Sequence, residues 1–259
     1  ADTIRDTAIA QPLIVSAGIA TAAALFDGGT AHSAGIAAVA GHSVGEITAA
    51  AIAGIFDAEQ AIKFVKVRAD AMAAAAAIEK TSMAAIIGGD QSVVEARLAE
   101  LDLEPANYNG SGQIVAAGSA EAIAKLQAEG PNGARVIPLQ VAGAFHTRYM
   151  KPAVRALADY AAGVSVNNPA TKIWSNAGGL LISSGEEFKN LLVKQVSNPV
   201  RWDMCMQSML DAGVTAIIEV SPAGTLAGIA KRAMPGVESV AVKTPENLEA
   251  ALALINNHR

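Results

Sequence analysis

The stretch Gly-His-Ser-Val-Gly at positions 41–45 constrains the fold more than any other part of this sequence. Its G-x-S-x-G form is typical of a serine on a sharp turn between a strand and a helix. Residues 36–40 form a short apolar run suited to a buried strand, and residues 47–56 are apolar and alanine-rich, as in a packed helix. The turn would expose the Ser43 hydroxyl beside the positive end of the helix. We therefore predict an α/β fold with an active serine; the alternative is a plain turn.

The composition is that of a globular protein and narrows its partners. The 259 residues are 52% hydrophobic and 17% charged, enough for one large domain or for a large and a small one. A net charge of −5 without a basic run argues against nucleic acid. Residues 12–26 are apolar but short for a membrane span, so a buried helix is expected. The N terminus is acidic where a signal peptide is basic. Cys205 is the only cysteine, which excludes an internal disulfide and favours a cytoplasmic location.

The predicted elements alternate between helix and strand, with one change of rhythm. A helix at 11–25 precedes the serine turn, and Asp57 with Gln60 predicts a capping box that starts a long helix. Residues 81–139 follow the order βαββαβ, which is typical of a ferredoxin-like unit. We predict a parallel-sheet, α/β-hydrolase-like large subdomain (residues 1–80 and 140–259) with an inserted ferredoxin-like small subdomain (residues 81–139). The predicted strands are 36–40, 83–87, 106–109, 113–117, 134–139, 172–175 and 216–220; the later helices are 92–101, 120–128, 152–162, 188–196, 226–233 and 246–255.

A serine hydroxyl needs a base, which is most often histidine. Of the four histidines, His42 adjoins the serine and would point elsewhere on the turn, His32 has no supporting motif, and His258 lies in the tail. His146 lies where the chain leaves the small subdomain, a position that can face the cleft between subdomains. We predict His146 as the base; the alternative is a structural histidine.

Arg68 is the second candidate, because it interrupts a largely apolar helix with Met72 one turn further on the same face. A guanidinium offers a planar fork that matches a carboxylate. The alternative is a solvated arginine. We expect Cys205 to be a small buried side chain and Gly110-Ser111-Gly112 to be a hairpin turn. The sequence contains no cluster with the spacing of metal ligands.

Taken together, these residues resemble the malonyl-CoA:acyl carrier protein transacylases, in particular the actinobacterial enzymes. The resemblance extends over the whole chain, in order, with two subdomains. It is carried by Gly-His-Ser-Val-Gly-Glu at 41–46, Arg68, Gly-Ala-Phe-His-Thr at 143–147, Gln-Val-Ser-Asn-Pro-Val-Arg-Trp at 195–202 and Ile-Glu-Val at 218–220.

The resemblance implies a role for each matching residue. Ser43 would accept the acyl group and His146 would be its base. The backbone carbonyl of Gln195 would hold the imidazole in place of a triad acid, and the Val44 backbone N–H would donate to the oxyanion. Arg68 would bind the free carboxylate of the malonyl group.

The resemblance also implies the substrates. Malonyl-CoA would be the acyl donor, with no bound cofactor, and the phosphopantetheine thiol of an acyl carrier protein would be the acceptor, in fatty-acid or polyketide synthesis. Met72 and Phe145 would help to bound the acyl pocket, with Phe145 filling the space that a methylmalonyl branch needs. The family begins with a strand and a Gly-Gln-Gly loop whose glutamine completes the oxyanion hole; we expect both to be missing here, since Gln11 matches a later helix start.

Two alternatives use the same residues differently. A serine hydrolase would use the Ser43–His146 pair with water as the acceptor, and a non-catalytic fragment would only bind carrier protein. Arg68 discriminates against the hydrolase, because a simple esterase has no need of a buried cation.

Overall fold

The computed structural model describes residues 6–141 and 143–258, and its elements largely follow the predicted order. The helices are α1 Thr7–Leu25, α2 Gly45–Ile52, α3 Ala58–Ala76, α4 Gln91–Glu100, α5 Ala120–Ala128, α6 Lys151–Ala161, α7 Gly185–Gln195, α8 Trp202–Asp211, α9 Thr225–Ala233 and α10 Asn247–Asn257. The strands are β1 Ala38–Val39, β2 Thr81–Gly88, β3 Glu104–Gly110, β4 Gln113–Ser119, β5 Ala134–Leu139, β6 Lys172–Ser175, β7 Leu180–Ile182, β8 Val200–Arg201, β9 Ala216–Glu219 and β10 Glu238–Ala241.

Four elements were missed by the sequence analysis: β7, β8, α8 and β10. Strand β8 has two residues and is defined by its pairing with β3. Helix α8 begins without a side-chain cap, so its start leaves no local signal. Helix α2 ends at Ile52, four residues before the predicted end, because Gly54 takes a positive φ of 83°.

Residues 81–139 contribute four strands to a five-stranded sheet, in the order β5-β2-β4-β3-β8. The first four strands are antiparallel neighbours, the order expected of a ferredoxin-like unit, and α4 and α5 cover one face. Gly110-Ser111-Gly112 turns the chain between β3 and β4 as predicted, with positive φ at all three residues. Strand β8 comes from outside residues 81–139 and pairs in parallel with β3. The subdomain boundaries themselves stay a prediction.

Outside residues 81–139 the strands form two small sheets, β1-β6-β7 and β10-β9. The pairs β1·β6 and β9·β10 are parallel, as expected. The prediction of parallel strands is wrong for β7, which pairs antiparallel with β6. Gly178 and Gly179 reverse the chain there with φ of 78° and 68°, and a Cβ on Gly179 would lie 2.4 Å from the backbone of Met204. Only glycine fits at position 179.

Helices α1, α2, α3 and α6 build the main apolar core next to the first of these sheets. The predicted capping box starts α3, with Asp57 and Gln60 bonded reciprocally. Gly18 lets α1 approach α2, because a Cβ there would lie 2.7 Å from Thr48. Among the described residues, α1 alone is long and apolar enough to cross a membrane by length and composition; it packs against α2 and α3.

Candidate active site

Ser43 lies on a tight turn between β1 and α2, as the motif predicts. Its φ is 52°, a left-handed conformation that costs a non-glycine residue free energy. Gly41 makes the turn possible, since a Cβ there would lie 2.1 Å from the Gly45 carbonyl. Gly45, by contrast, has open space beside it. The first glycine of the motif is therefore a steric requirement.

The structure brings Ser43 and His146 together, although 103 residues separate them. Ser43 Oγ lies 2.7 Å from His146 Nε2, and His146 Nδ1 lies 2.8 Å from the Gln195 backbone oxygen. A carbonyl oxygen only accepts, so Nδ1 carries the proton and Nε2 accepts from the serine hydroxyl. His146 also has a positive φ, 62°, and its backbone N–H donates to the Val196 carbonyl. The geometry is that of a serine paired with an oriented base.

His146 is in the form that can accept a proton. Burial lowers the pKa of His146 to about 3, and the nearby positive charge of Arg68 contributes in the same direction. The imidazole is 4% exposed and neutral at physiological pH. Nε2 carries no proton that must leave first, so it can accept the hydroxyl proton of Ser43 directly.

Arg68 is buried beside this pair, with 1% of its surface exposed, so the solvated alternative is excluded. Nη2 donates to Gln195 Oε1 at 2.8 Å and to Ser43 Oγ at 3.3 Å, while Nη1 donates to Gln11 Oε1. Nε is buried without a partner among the described residues. Burial lowers the pKa of Arg68 to about 10, which leaves the guanidinium charged at pH 7. A fixed cation beside a serine hydroxyl is suited to an anionic substrate group.

The side chains of Glu46, Asn176 and Gln195 also belong to the site, and the sequence does not predict this. Glu46 accepts from the Asn176 backbone N–H at 2.6 Å and from the Gln195 side chain. Gln195 Nε2 also donates to the Ser43 carbonyl at 3.1 Å. Burial raises the pKa of Glu46 to about 7. Gln195 therefore contacts the base through its backbone and contacts Arg68, Glu46 and Ser43 through its side chain.

The remaining predicted residues lie around the pair. Within the described residues the Val44 N–H has no hydrogen-bond partner, which leaves it free to donate. Met72 is 2% exposed, and its sulfur accepts from Gln11 Nε2 at 3.5 Å. Phe145 is half-buried between the main core and the cluster around Ala144. Gln11 was interpreted only as a helix start, because nothing in the local sequence shows that it contacts Arg68.

Two other candidates lie outside the reacting pair. His42 Nε2 donates to Asn109 Oδ1 at 2.9 Å and so points away from Ser43, as expected. Cys205 is buried, which raises the pKa of its thiol to about 12 and keeps it protonated. Across residues 6–141 and 143–258, no three His, Cys, Asp or Glu side chains form a group that could hold a metal ion.

Comparison with known proteins agrees with this geometry. The acyl transferase domain family matches residues 1–246. This chain belongs to the acyl transferase family. It is 47% identical over 253 residues to the malonyl CoA-acyl carrier protein transacylase of Mycolicibacterium smegmatis, which covers 96% of this chain and 87% of the relative. Among the acyl transferases of known structure, MCAT from Mycobacterium tuberculosis matches with a TM-score of 0.91 and 46% identity, covering 97% of this chain and 83% of that one.

A third acyl transferase was solved with a partner. It is a malonyl-transacylase in complex with its type II PKS acyl-carrier protein, and it matches this chain with a TM-score of 0.90 and 30% identity. The match covers 98% of this chain and 83% of that one. The likeness to these acyl transferases therefore includes both the five-stranded sheet and the helices around Ser43.

Proposed function

We propose that this acyl transferase moves a malonyl group from coenzyme A to the phosphopantetheine thiol of an acyl carrier protein, through an ester on Ser43. The observation that carries the proposal is the buried guanidinium of Arg68, 3.3 Å from Ser43 Oγ. A cation at this place matches the free carboxylate of a malonyl group, which acetyl and longer unbranched acyl groups lack.

The first half-reaction forms the ester. Ser43 Oγ attacks the thioester carbonyl while His146 Nε2 takes the hydroxyl proton. The oxygen of the tetrahedral intermediate is negative, and the Val44 N–H is the backbone donor for it. The carbon–sulfur bond then breaks, and His146 returns the proton to the departing coenzyme A thiol. The Gln195 carbonyl stabilises the imidazolium that exists between these steps.

The second half-reaction repeats the chemistry with another thiol. His146 takes the proton of the phosphopantetheine thiol, whose sulfur attacks the ester of Ser43. The ester oxygen leaves and recovers the proton from His146. Arg68 holds the malonyl carboxylate through both halves, with Met72 and Phe145 bounding the acyl pocket. The route is ping-pong and requires no bound cofactor.

The setting of the reaction is inferred from the relatives. One related malonyl-transacylase forms a complex with a carrier protein of polyketide synthesis, and the mycobacterial relative is named for acyl carrier protein. We assign this chain the same partner class, in fatty-acid or polyketide synthesis. A single cysteine, which can form no internal disulfide, suits the reducing cytoplasm.

A serine hydrolase is the second candidate, because the 2.7 Å contact between Ser43 and His146 would serve water as well as a thiol. The two functions differ in the fate of the ester. A transferase keeps the malonyl ester until a carrier thiol arrives, whereas a hydrolase releases malonate at once.

The test is the mass of the intact chain after mixing with malonyl-CoA, with holo carrier protein added afterwards. We expect one malonyl group on the wild-type chain, none on Ser43→Ala, and transfer of the group to the carrier protein. Ser183→Ala, at an exposed position, is the matched control and should be labelled like the wild type. Labelling of Ser43→Ala would contradict the assignment of the nucleophile, and rapid loss of the ester to water would favour the hydrolase.

A further inference from the structure

Asn176 spans the turn that carries Ser43. Its Oδ1 accepts from the Ser43 N–H at 2.8 Å, and its Nδ2 donates to the Gly41 carbonyl at 2.7 Å. Its own N–H donates to Glu46 Oε1 at 2.6 Å. Asn176 is fully buried and lies 133 residues from Ser43 in the chain. One amide side chain thus bonds to both sides of the turn.

The position of Asn176 is set by strand register. Strands β1 and β6 pair in parallel with Ala38 opposite Lys172 and Val39 opposite Ile173. The same offset places Asn176 opposite residue 42, in the middle of the turn. The β1 backbone has left the sheet there, so the Asn176 side chain supplies the donor and acceptor that a strand would supply. The backbone N–H groups of Gly178 and Arg201 donate to the Asn176 carbonyl and fix the residue itself.

The bond to Asn176 removes the Ser43 N–H from the amides of the turn that are available to substrate. The N–H groups of Gly45 and Glu46 donate to the carbonyls of His42 and Ser43. The Ser43 N–H donates to Asn176. Among the described residues, the Val44 N–H is left without a partner, and so is the His42 N–H on the other side of the serine. The Asn176 side chain therefore holds the strained serine and leaves the next N–H in the chain, that of Val44, free for an oxyanion.

We propose that Asn176 is a positioning residue for acyl transfer, which holds Ser43 in its left-handed conformation and directs the Val44 N–H toward the oxyanion. The proposal rests on the function proposed above, since it needs Ser43 as the nucleophile. It predicts a loss of rate and no loss of malonyl-CoA affinity, because Arg68 makes no contact with Asn176. A displacement of about 1 Å in a reacting group costs on the order of 100-fold in rate.

The first experiment compares Asn176→Ala with wild type in two reactions of the full chain. One is acylation by malonyl-CoA; the other is covalent labelling of Ser43 by phenylmethylsulfonyl fluoride, which needs the nucleophile but no carboxylate site. We expect both rates to fall roughly 100-fold with an unchanged KM for malonyl-CoA. Asn168→Ala is the matched control: it removes an amide that caps Gly185 at 3.1 Å, and should leave both rates unchanged.

The second experiment uses Asn176→Asp. A protonated carboxyl keeps one acceptor for the Ser43 N–H and one donor for the Gly41 carbonyl, whereas the carboxylate loses the donor. The titratable groups that face this position are Glu46 on α2 and Cys205 on α8, with Arg68 and His146 one contact further away. We expect the labelling rate of Asn176→Asp, divided by that of wild type at the same pH, to rise as pH falls. A merely structural role would give a constant ratio.

These outcomes separate the two proposals. Folded Asn176→Ala with labelling within threefold of wild type, or a raised KM with unchanged kcat, would overturn the role of Asn176. Should Asn176→Ala fail to fold, the pH dependence of the Asn176→Asp ratio decides alone. Wild-type chain that reacts with the sulfonyl fluoride but takes up no malonyl group would overturn the proposed function, and the labelling rates would still test Asn176.

Discussion

The surroundings of Ser43 and the core under the five-stranded sheet are equally buried but differ in what fills them. Around Ser43 lie Glu46, Arg68 and Asn176, each no more than 1% exposed and joined by hydrogen bonds. The core under the sheet is an apolar cluster that includes Leu98 and Leu126. In the first region, burying charged and polar groups lowers the stability of the fold and holds these groups in fixed orientations. In the second region, burying apolar side chains raises the stability. A substitution should therefore change chemistry in one region and stability in the other.

The largest expected effect is that of Arg68→Ala on malonyl transfer. Removing one side of a buried charge pair costs about 2–5 kcal/mol, which corresponds to roughly 30- to 4,000-fold in kcat/KM. Acetyl transfer should hold or improve, since acetyl has no carboxylate. Lysine should rescue only in part because it lacks the planar fork. Arg155→Ala, on the exposed face of α6, is the control. Equal losses for malonyl-CoA and acetyl-CoA would show that Arg68 is structural.

Leu126→Ala should give the opposite result. Leu126 is fully buried in the sheet's core, so the variant should lose about 2–5 kcal/mol in the free energy of unfolding. Its kcat/KM per folded molecule should match that of wild type. Val93→Ala, at a half-exposed position of α4, should change stability by no more than about 0.5 kcal/mol. Denaturant unfolding measures the first quantity and initial rates the second. A folded Leu126→Ala with lowered kcat would break the separation between the two regions.

Phe145 precedes the base in the chain and packs against the main core and the cluster around Ala144, and neither cluster includes Leu98 or Leu126. Wild type should prefer malonyl-CoA over methylmalonyl-CoA, and Phe145→Ala should shrink that preference by about 1–3 kcal/mol, or roughly 10- to 200-fold. The measurement is the ratio of the two kcat/KM values. Tyr149→Phe, which keeps an aromatic ring at the same clusters, serves as the control. An unchanged ratio in Phe145→Ala would mean that another residue excludes the branch.

The smallest expected effect is a shift in the pKa of His146. Burial and Arg68 hold the pKa of His146 well below 6.5, so the neutral form that accepts the serine proton should persist as pH falls below that value. Arg68→Ala removes one of the causes that lower this pKa, while burial remains, so it should raise the midpoint and leave it under 6.5. Titration of the His146 ring by NMR measures this midpoint directly, whereas a pH profile of the rate would also respond to Glu46, whose pKa is raised to about 7. A wild-type midpoint at 6.5 would contradict the buried, neutral base.

The two regions also differ in how far the sequence predicts them. Helix α5 and strand β5 have the predicted bounds, because the Ser119 cap and Gly133, directly before β5, are local signals. The order of the first four strands of the sheet could be inferred from the order of the elements, whereas β8 could not. The family resemblance and the family comparison agree, and the motif predicted the turn at Ser43.

The polar contacts of the site could not be predicted in the same way. Gln11 reaches Arg68 across 57 residues and Asn176 reaches Ser43 across 133, and neither lies in a motif. Such contacts depend on how α1 packs on α3 and on the register of β6 against β1. The residues around Asn176 in the sequence form no recognisable motif. Its contact with Ser43 follows only from its place opposite the turn. Local patterns predict elements; they do not predict which buried amide meets which backbone group.

The parallel pairing of β8 with β3 has a consequence for building hybrid enzymes. An engineer who exchanges residues 81–139 between two relatives would leave Asn107 and Tyr108 facing a recipient strand that they were not selected to meet. Arg201 stacks over the Tyr108 ring at 4.5 Å, so the mismatch would include side chains as well as backbone. A graft that carries residues 200–203 along with residues 81–139 would keep both contacts. The junctions between donor and recipient sequence would then lie outside the sheet.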